Sequence, residues 1–130
     1  MTHATDTATA PDATTIAQRY IAVWNEPDAA RRQELLEESW AADARYVDPL
    51  MQASGHEQIG MLVGAVHQRY PGFRFALLGR PDGHGEHLRF CWTLGPAGAE
   101  DLIQGTDFAR LEAGKLQSVT GFLDKVPVGA

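Results

Sequence analysis

A single cysteine, Cys91, is present, so no intrachain disulfide can staple the fold and stability must come from a packed core. Set in an apolar run, that thiol reads as a small core residue rather than a nucleophile. Positive charge is short as well. Eleven Lys and Arg face 17 Asp and Glu, and the formal net charge of -6 leaves neither nucleic acid nor an anionic membrane surface as an expected partner. The apolar runs fall short of a membrane span and the N-terminus lacks the basic and apolar pattern of a secretory signal, so a soluble, cytoplasmic protein is expected. Nor is there a CxxC pair, a glycine-rich phosphate loop, a nucleophile elbow or a His and carboxylate spacing suited to a metal. Metal and nucleotide chemistry are disfavoured, and no cofactor is expected.

What is present suffices for one domain: 130 residues, 44% of them hydrophobic. Residues 1–14, rich in Thr, Ala and Asp without periodic apolar positions, read as a disordered leader, and residues 15–127 as the domain. Ile16, Tyr20, Val23 and Trp24 recur at helical spacing up to Asn25, before Pro27. Asp28 is placed to cap a second helix with Leu35, Leu36 and Trp40 as its buried stripe and Arg31, Arg32, Glu34, Glu37 and Glu38 towards water. A short strand is expected over residues 44–48, then a loop at 52–55. A third helix follows, capped near Ser54, with Ile59, Leu62, Val63, Val66 and Tyr70 on one face and Pro71-Gly72 as its stop.

Beyond Gly72 the period changes from about 3.6 to 2. Phe73, Phe75 and Leu77, then Leu88, Phe90, Trp92 and Leu94, mark alternating strands with turns at residues 82–85 and 95–98. Two further strands are expected near 101–111 and 115–124, joined at Ala113-Gly114. Helices followed by hairpin-linked strands indicate an α+β domain in which one antiparallel sheet is covered on one face and curls to enclose a pocket.

Several residues are candidates for chemistry in that pocket. Asp48 ends an apolar strand and is held extended by Pro49, as a structural cap or a proton-handling group. Asp107 shares strand parity with Ile103, Ala109 and Leu111; inward, it is a carboxylate with a raised pKa, outward, a solvated one. Tyr20 lies on the buried helical stripe and its hydroxyl needs a partner there. Trp24, Trp40, Phe90, Trp92 and Phe122 read as core or as pocket lining for a flat, apolar ligand, with Tyr46, Met51, Val63 and His67 beside them. His84 and His87 flank a turn with opposite parity and make poor co-ligands.

Gln18-Arg19-Tyr20, Tyr46-Val47-Asp48-Pro49 followed by Gly55, Gly105-Thr106-Asp107 and Gly121-Phe122-Leu123, in this order of elements, resemble the nuclear-transport-factor-two-like superfamily. The likeness is to its SnoaL-like and ketosteroid-isomerase-like members, including polyketide cyclases, from Ile16 to Pro127. The resemblance implies a cone of curved mixed β-sheet around three helices of the N-terminal half, a deep pocket and a homodimer. It also implies Asp48 as general base, Tyr20 as oxyanion-binding tyrosine and Asp107 as a protonated oxyanion-binding acid. The family's supporting tyrosine falls near Val63, which has no donor. Three readings follow. The first is an acid/base enzyme of isomerase or cyclase type acting on an apolar carbonyl compound. The second is a non-catalytic ligand-binding or dimerisation module, and the third a hydrolase or cyclase with Asp107 as main acid/base.

Overall fold

The computed structural model describes residues 12–127. Helix α1, Ala13–Asn25, starts two residues before the expected boundary because Asp12 Oδ1 accepts the Thr15 backbone N–H at 2.8 Å, a side-chain N-cap. Residues 1–11 of the expected leader lie outside the described part. Helix α2, Ala29–Ser39, is capped in the same way by Asp28, as the sequence suggests. Trp40, expected on the buried stripe of this helix, instead opens strand β1, Trp40–Val47, with an extended backbone and a fully buried ring.

Arg32 also departs from its expected solvent face. Its guanidinium donates to the carbonyls of Glu26 (3.0 Å), Pro27 (3.2 Å) and Gly60 (3.1 Å) and is 6% exposed. A planar fork of donors matches the carbonyls left at the end of α1 and one from the third helix, which no amphipathic pattern reveals.

The expected loop after β1 is partly strand. Gln52–Ser54 forms β2, antiparallel to β1, and α3 runs Gly55–Arg69 directly behind it, with Tyr70 as its C-cap rather than its last stripe residue. Strands β3 (Arg74–His84), β4 (His87–Gly95), β5 (Ile103–Glu112) and β6 (Lys115–Lys125) follow as hairpins. The first hairpin turns at Gly85-Glu86, later than expected. His84 and His87 are therefore direct cross-strand partners on one face, rings 5.5 Å apart, and not on opposite faces. Ala113 and Gly114, both at positive φ, close the last hairpin.

The six strands form one open sheet in the order β2-β1-β6-β5-β4-β3. It is mixed, not wholly antiparallel, because β1 and β6 run parallel. Three successive hairpins carry the chain back across the sheet and lay β6 beside β1 in the same sense. Register shifts that put extra residues on β1, β3 and β6 bend the strands, so the sheet curves around its helices. The edge strand β3 is tied to α1 by Asn25, whose side chain donates to Phe75 O (2.9 Å) and accepts from Phe75 N (2.8 Å). On β5, Ile103, Gly105, Asp107 and Ala109 all face inward, which places Asp107 on the buried side.

Removing the Arg32 side chain leaves three carbonyls short of a charged donor. Arg32→Ala is expected to lower unfolding free energy by about 2–4 kcal/mol, and Arg32→Lys, lacking the fork, to recover less than half. Urea denaturation followed by tryptophan fluorescence measures both.

Candidate active site

Asp107 is 1% exposed and still fully hydrogen-bonded. The Tyr20 hydroxyl, from α1, donates to Oδ2, and Trp92 Nε1, from β4, donates to Oδ1 at 3.0 Å. Trp92 reaches it because its cross-strand neighbour is Gly105. Any Cβ at that position would overlap the indole and crowd the Phe122 carbonyl. Tyr20 is held by aromatic neighbours on three sides: Trp40 stacked at 5.7 Å, Phe90 edge-on at 4.8 Å and Trp24 tilted at 6.0 Å.

Asp48 lies just past β1 on the same inward parity as Tyr46. Its Oδ1 accepts the backbone N–H groups of Leu50 and Met51, both at 2.8 Å, while Oδ2 accepts only the Tyr46 hydroxyl, at 2.6 Å. The carboxylate thus fixes its own loop through one oxygen and presents the other beside Tyr46. The two groups of polar residues meet over Gly121, which pairs with Asp107 across β5 and β6. A Cβ on Gly121 would lie 2.9 Å from Asp107 Oδ1, 3.3 Å from Asp48 Cβ and 3.5 Å from the Tyr46 hydroxyl. The bare backbone there is what lets the three side chains converge.

These groups form the polar floor of a cavity of about 350 Å³ whose walls are otherwise apolar. Tyr20, Asp48, Asp107, Trp24, Tyr46, Met51 and Trp92 line it, as the sequence reading has them, whereas Phe122 borders it from β6 with its half-exposed ring on the outer face against Phe108. Four others do not. Trp40 and Phe90 sit behind the Tyr20 ring, and Val63 is fully buried on the inner face of α3. His67 is turned away to the Trp24 carbonyl, 2.6 Å from Nε2. Residues the sequence reading passed over include Gly121, Phe75, Leu94, Ile103 and Arg69. Strand alternation marked Phe75 and Ile103 as candidates for one face, whereas Gly121 becomes visible only once the β5–β6 register is known.

Burial pushes the Asp107 carboxyl up to about 6, helped by the charges of Asp48 and Asp124 and opposed by the Tyr20 and Trp92 donors. Tyr20 is raised well above the ordinary phenol value, by burial first and by Asp107 and Tyr46 next. Tyr46 is raised too, again by burial and then by Asp107 and Asp48. Both phenols therefore stay protonated and act as donors, and Asp107 is the group of this cluster that changes charge near neutrality. Among the described residues no set of three or more His, Cys, Asp and Glu is placed to hold a metal ion.

With its folded pKa above the unfolded value of about 3.9, Asp107 binds its proton more tightly in the native state. Its stabilising contribution is full below pH 4 and is lost as pH rises through about 6. The wild type is expected to lose roughly 2 kcal/mol relative to Asp107→Asn between pH 4 and 7, read from urea denaturation at each pH.

The sequence profile of the SnoaL-like domain matches residues 17–119. No curated protein matches the chain. Among solved structures, a proposed isomerase of the SnoaL-like family from Agrobacterium tumefaciens is 47% identical with a TM-score of 0.83, over 86% of this chain and 97% of that one. A proposed ketosteroid isomerase from Kribbella flavida (20% identity, TM-score 0.67, 91% and 82% covered) shares the fold. So does a proposed polyketide cyclase from Sinorhizobium meliloti (14%, 0.65, 82% and 93%). No helix among the described residues is long and apolar enough to cross a membrane. The matched profile and the 47% identical relative, each spanning most of the chain, show that this protein belongs to the SnoaL-like family.

Proposed function

We propose that the protein is an acid/base enzyme of the isomerase or cyclase type, acting without a cofactor on an apolar carbonyl compound. The observation that carries the reading is the meeting of Asp107, Asp48 and Tyr46 over Gly121 at the floor of an apolar cavity. The names given to the Agrobacterium and Sinorhizobium relatives point the same way. Asp48 removes a proton from the carbon next to the carbonyl through Oδ2, the oxygen not committed to the backbone. Protonated Asp107 donates to the oxygen as it becomes an enolate, and the Tyr20 hydroxyl turns from Asp107 Oδ2 to donate to the same oxygen. Return of the proton to a different carbon isomerises the substrate, and attack of the enolate carbon on a second carbonyl of the same molecule closes a ring. The enzyme works in the cytoplasm, where the lone Cys91 stays reduced.

A second division of labour is favoured by the two backbone N–H bonds to Asp48 and by the near-neutral pKa of Asp107. In it Asp48 anchors the loop and Asp107 itself moves the proton. The pH dependence separates the two. With Asp107 needed protonated, kcat/KM falls about tenfold per unit as pH rises above about 6; with Asp107 as base, it rises through the same point. Exchange of α-hydrogens for solvent deuterium, followed by NMR over a panel of apolar ketones and diketones, is the assay. Asp48→Asn is expected to slow exchange by about 10²–10⁴-fold. A larger loss in Asp107→Asn would select the second scheme, and binding without exchange by any compound would make the cavity a non-catalytic ligand site.

The outer face of the sheet supports a homodimer. Phe108 and Phe122, 45% and 50% exposed, pack edge-on at 5.8 Å there, with Val47 42% exposed. Wild type is expected to sediment as a dimer and Phe108→Lys as a monomer with an unchanged circular dichroism spectrum.

A further inference from the structure

The cavity has one basic side chain in its lining, Arg69, in the last turn of α3. It is exposed, so it stands at the rim, while Asp107 lies at the floor. The sheet gives the direction between them. Phe75, Leu94 and Ile103 are successive cross-strand partners, and they share the cavity lining with Arg69 and Tyr70 at the end of α3. From Ile103 to Asp107 is four residues of β5, roughly 13 Å of strand. The wall between is apolar.

The Arg69 guanidinium lies over the ring of Tyr70, another lining residue, with Cζ 5.8 Å from the ring centre. That contact uses none of its N–H donors, and no hydrogen bond among the described residues takes one either. The ion pairs among the described residues join Arg31 to Glu34, Arg89 to Asp82, Arg110 to Glu86 and Lys125 to Asp101, and none takes Arg69. A chain with net charge -6 and two carboxylates at the cavity floor repels anions almost everywhere, so an unneutralised cation at the rim selects where an anion can sit. A basic residue at a helix C-terminus complements the helix dipole wherever it occurs. That role does not require a place in the cavity lining or a stacking partner from the same lining.

We infer that Arg69 is a specificity-determining residue that reads a carboxylate on the substrate. The substrate class is then an apolar keto acid, with its carbonyl at Tyr20 and Asp107 and its carboxylate at the rim, an apolar ring or chain between them. This rests on the carbonyl-binding reading of the cavity floor and adds the second polar end.

The test measures affinity by calorimetry at low salt for 4-acetylbenzoate, 6-acetyl-2-naphthoate and 4′-acetylbiphenyl-4-carboxylate, each beside its uncharged methyl ester. The wild type is expected to bind at least one acid about tenfold more tightly than its ester, a preference that fades with added salt. Arg69→Gln is expected to bring the acid-to-ester affinity ratio down to about one, and Arg69→Lys to restore part of it. Equal binding of acids and esters by the wild type, or a preference that survives in Arg69→Gln, overturns the role of Arg69 and leaves the carbonyl site standing. Failure of every acid and ester to bind the wild type overturns the carbonyl reading as well.

Discussion

A carboxylate at 1% exposure is the constraint around which this structure is arranged. Burying a charge in an apolar interior is costly unless donors meet it, and Asp107 is met by Tyr20 from the first helix and Trp92 from a neighbouring strand. Each donor has requirements of its own. Trp92 needs the missing side chain of Gly105, and Tyr20 needs the wall of Trp40, Phe90 and Trp24 that fixes its ring. Trp40 can serve there because it begins β1 instead of ending α2. One buried group thus ties together four segments far apart in the chain. The residual imbalance between burial and hydrogen bonding leaves Asp107 at about 6, in the range the proposed proton transfer needs.

Much of this was legible before any coordinates. Helical periodicity gave α1 and α3 within a few residues, and the Asp28 cap was evident from its place before an amphipathic run. Period-2 alternation in β5 left two faces for Asp107, and packing of Ile103 and Ala109 decided between them. What escaped depends on contacts between distant segments. Arg32 looks like any surface arginine of an amphipathic helix until the carbonyls of Glu26, Pro27 and Gly60 surround it. The parallel pairing of β1 with β6 and the meeting of Gly121 with Asp107 are matters of register, which local pattern does not carry. The His84 and His87 pairing turned on a hairpin tip placed a residue or two further along.

Asp48 combines a local structural role with the place at the cavity that the proposed chemistry needs. Its Oδ1 closes a tight loop in which its own N–H reaches Met51 O at 2.9 Å, so the carboxylate is positioned by backbone rather than by a long side-chain chain of contacts. Oδ2 is left to Tyr46 and the cavity. Rigid placement of this kind is what a proton-transferring group requires, because the reacting atoms must be held close and aligned. The same loop geometry also explains why an Asp-Pro pair at a strand end is not by itself a mark of activity.

An open sheet has two edges, and unpaired edges are where soluble proteins recruit one another into aggregates. Here β2 offers only three residues, too few to template a new strand. At the opposite edge, the Asn25 amide bonds both the N–H and the carbonyl of Phe75, occupying the positions a neighbouring strand would take. Asn25 therefore acts as a one-residue counterfeit strand. It lets the sheet stay open around a cavity without exposing that part of β3 as a seam for another chain.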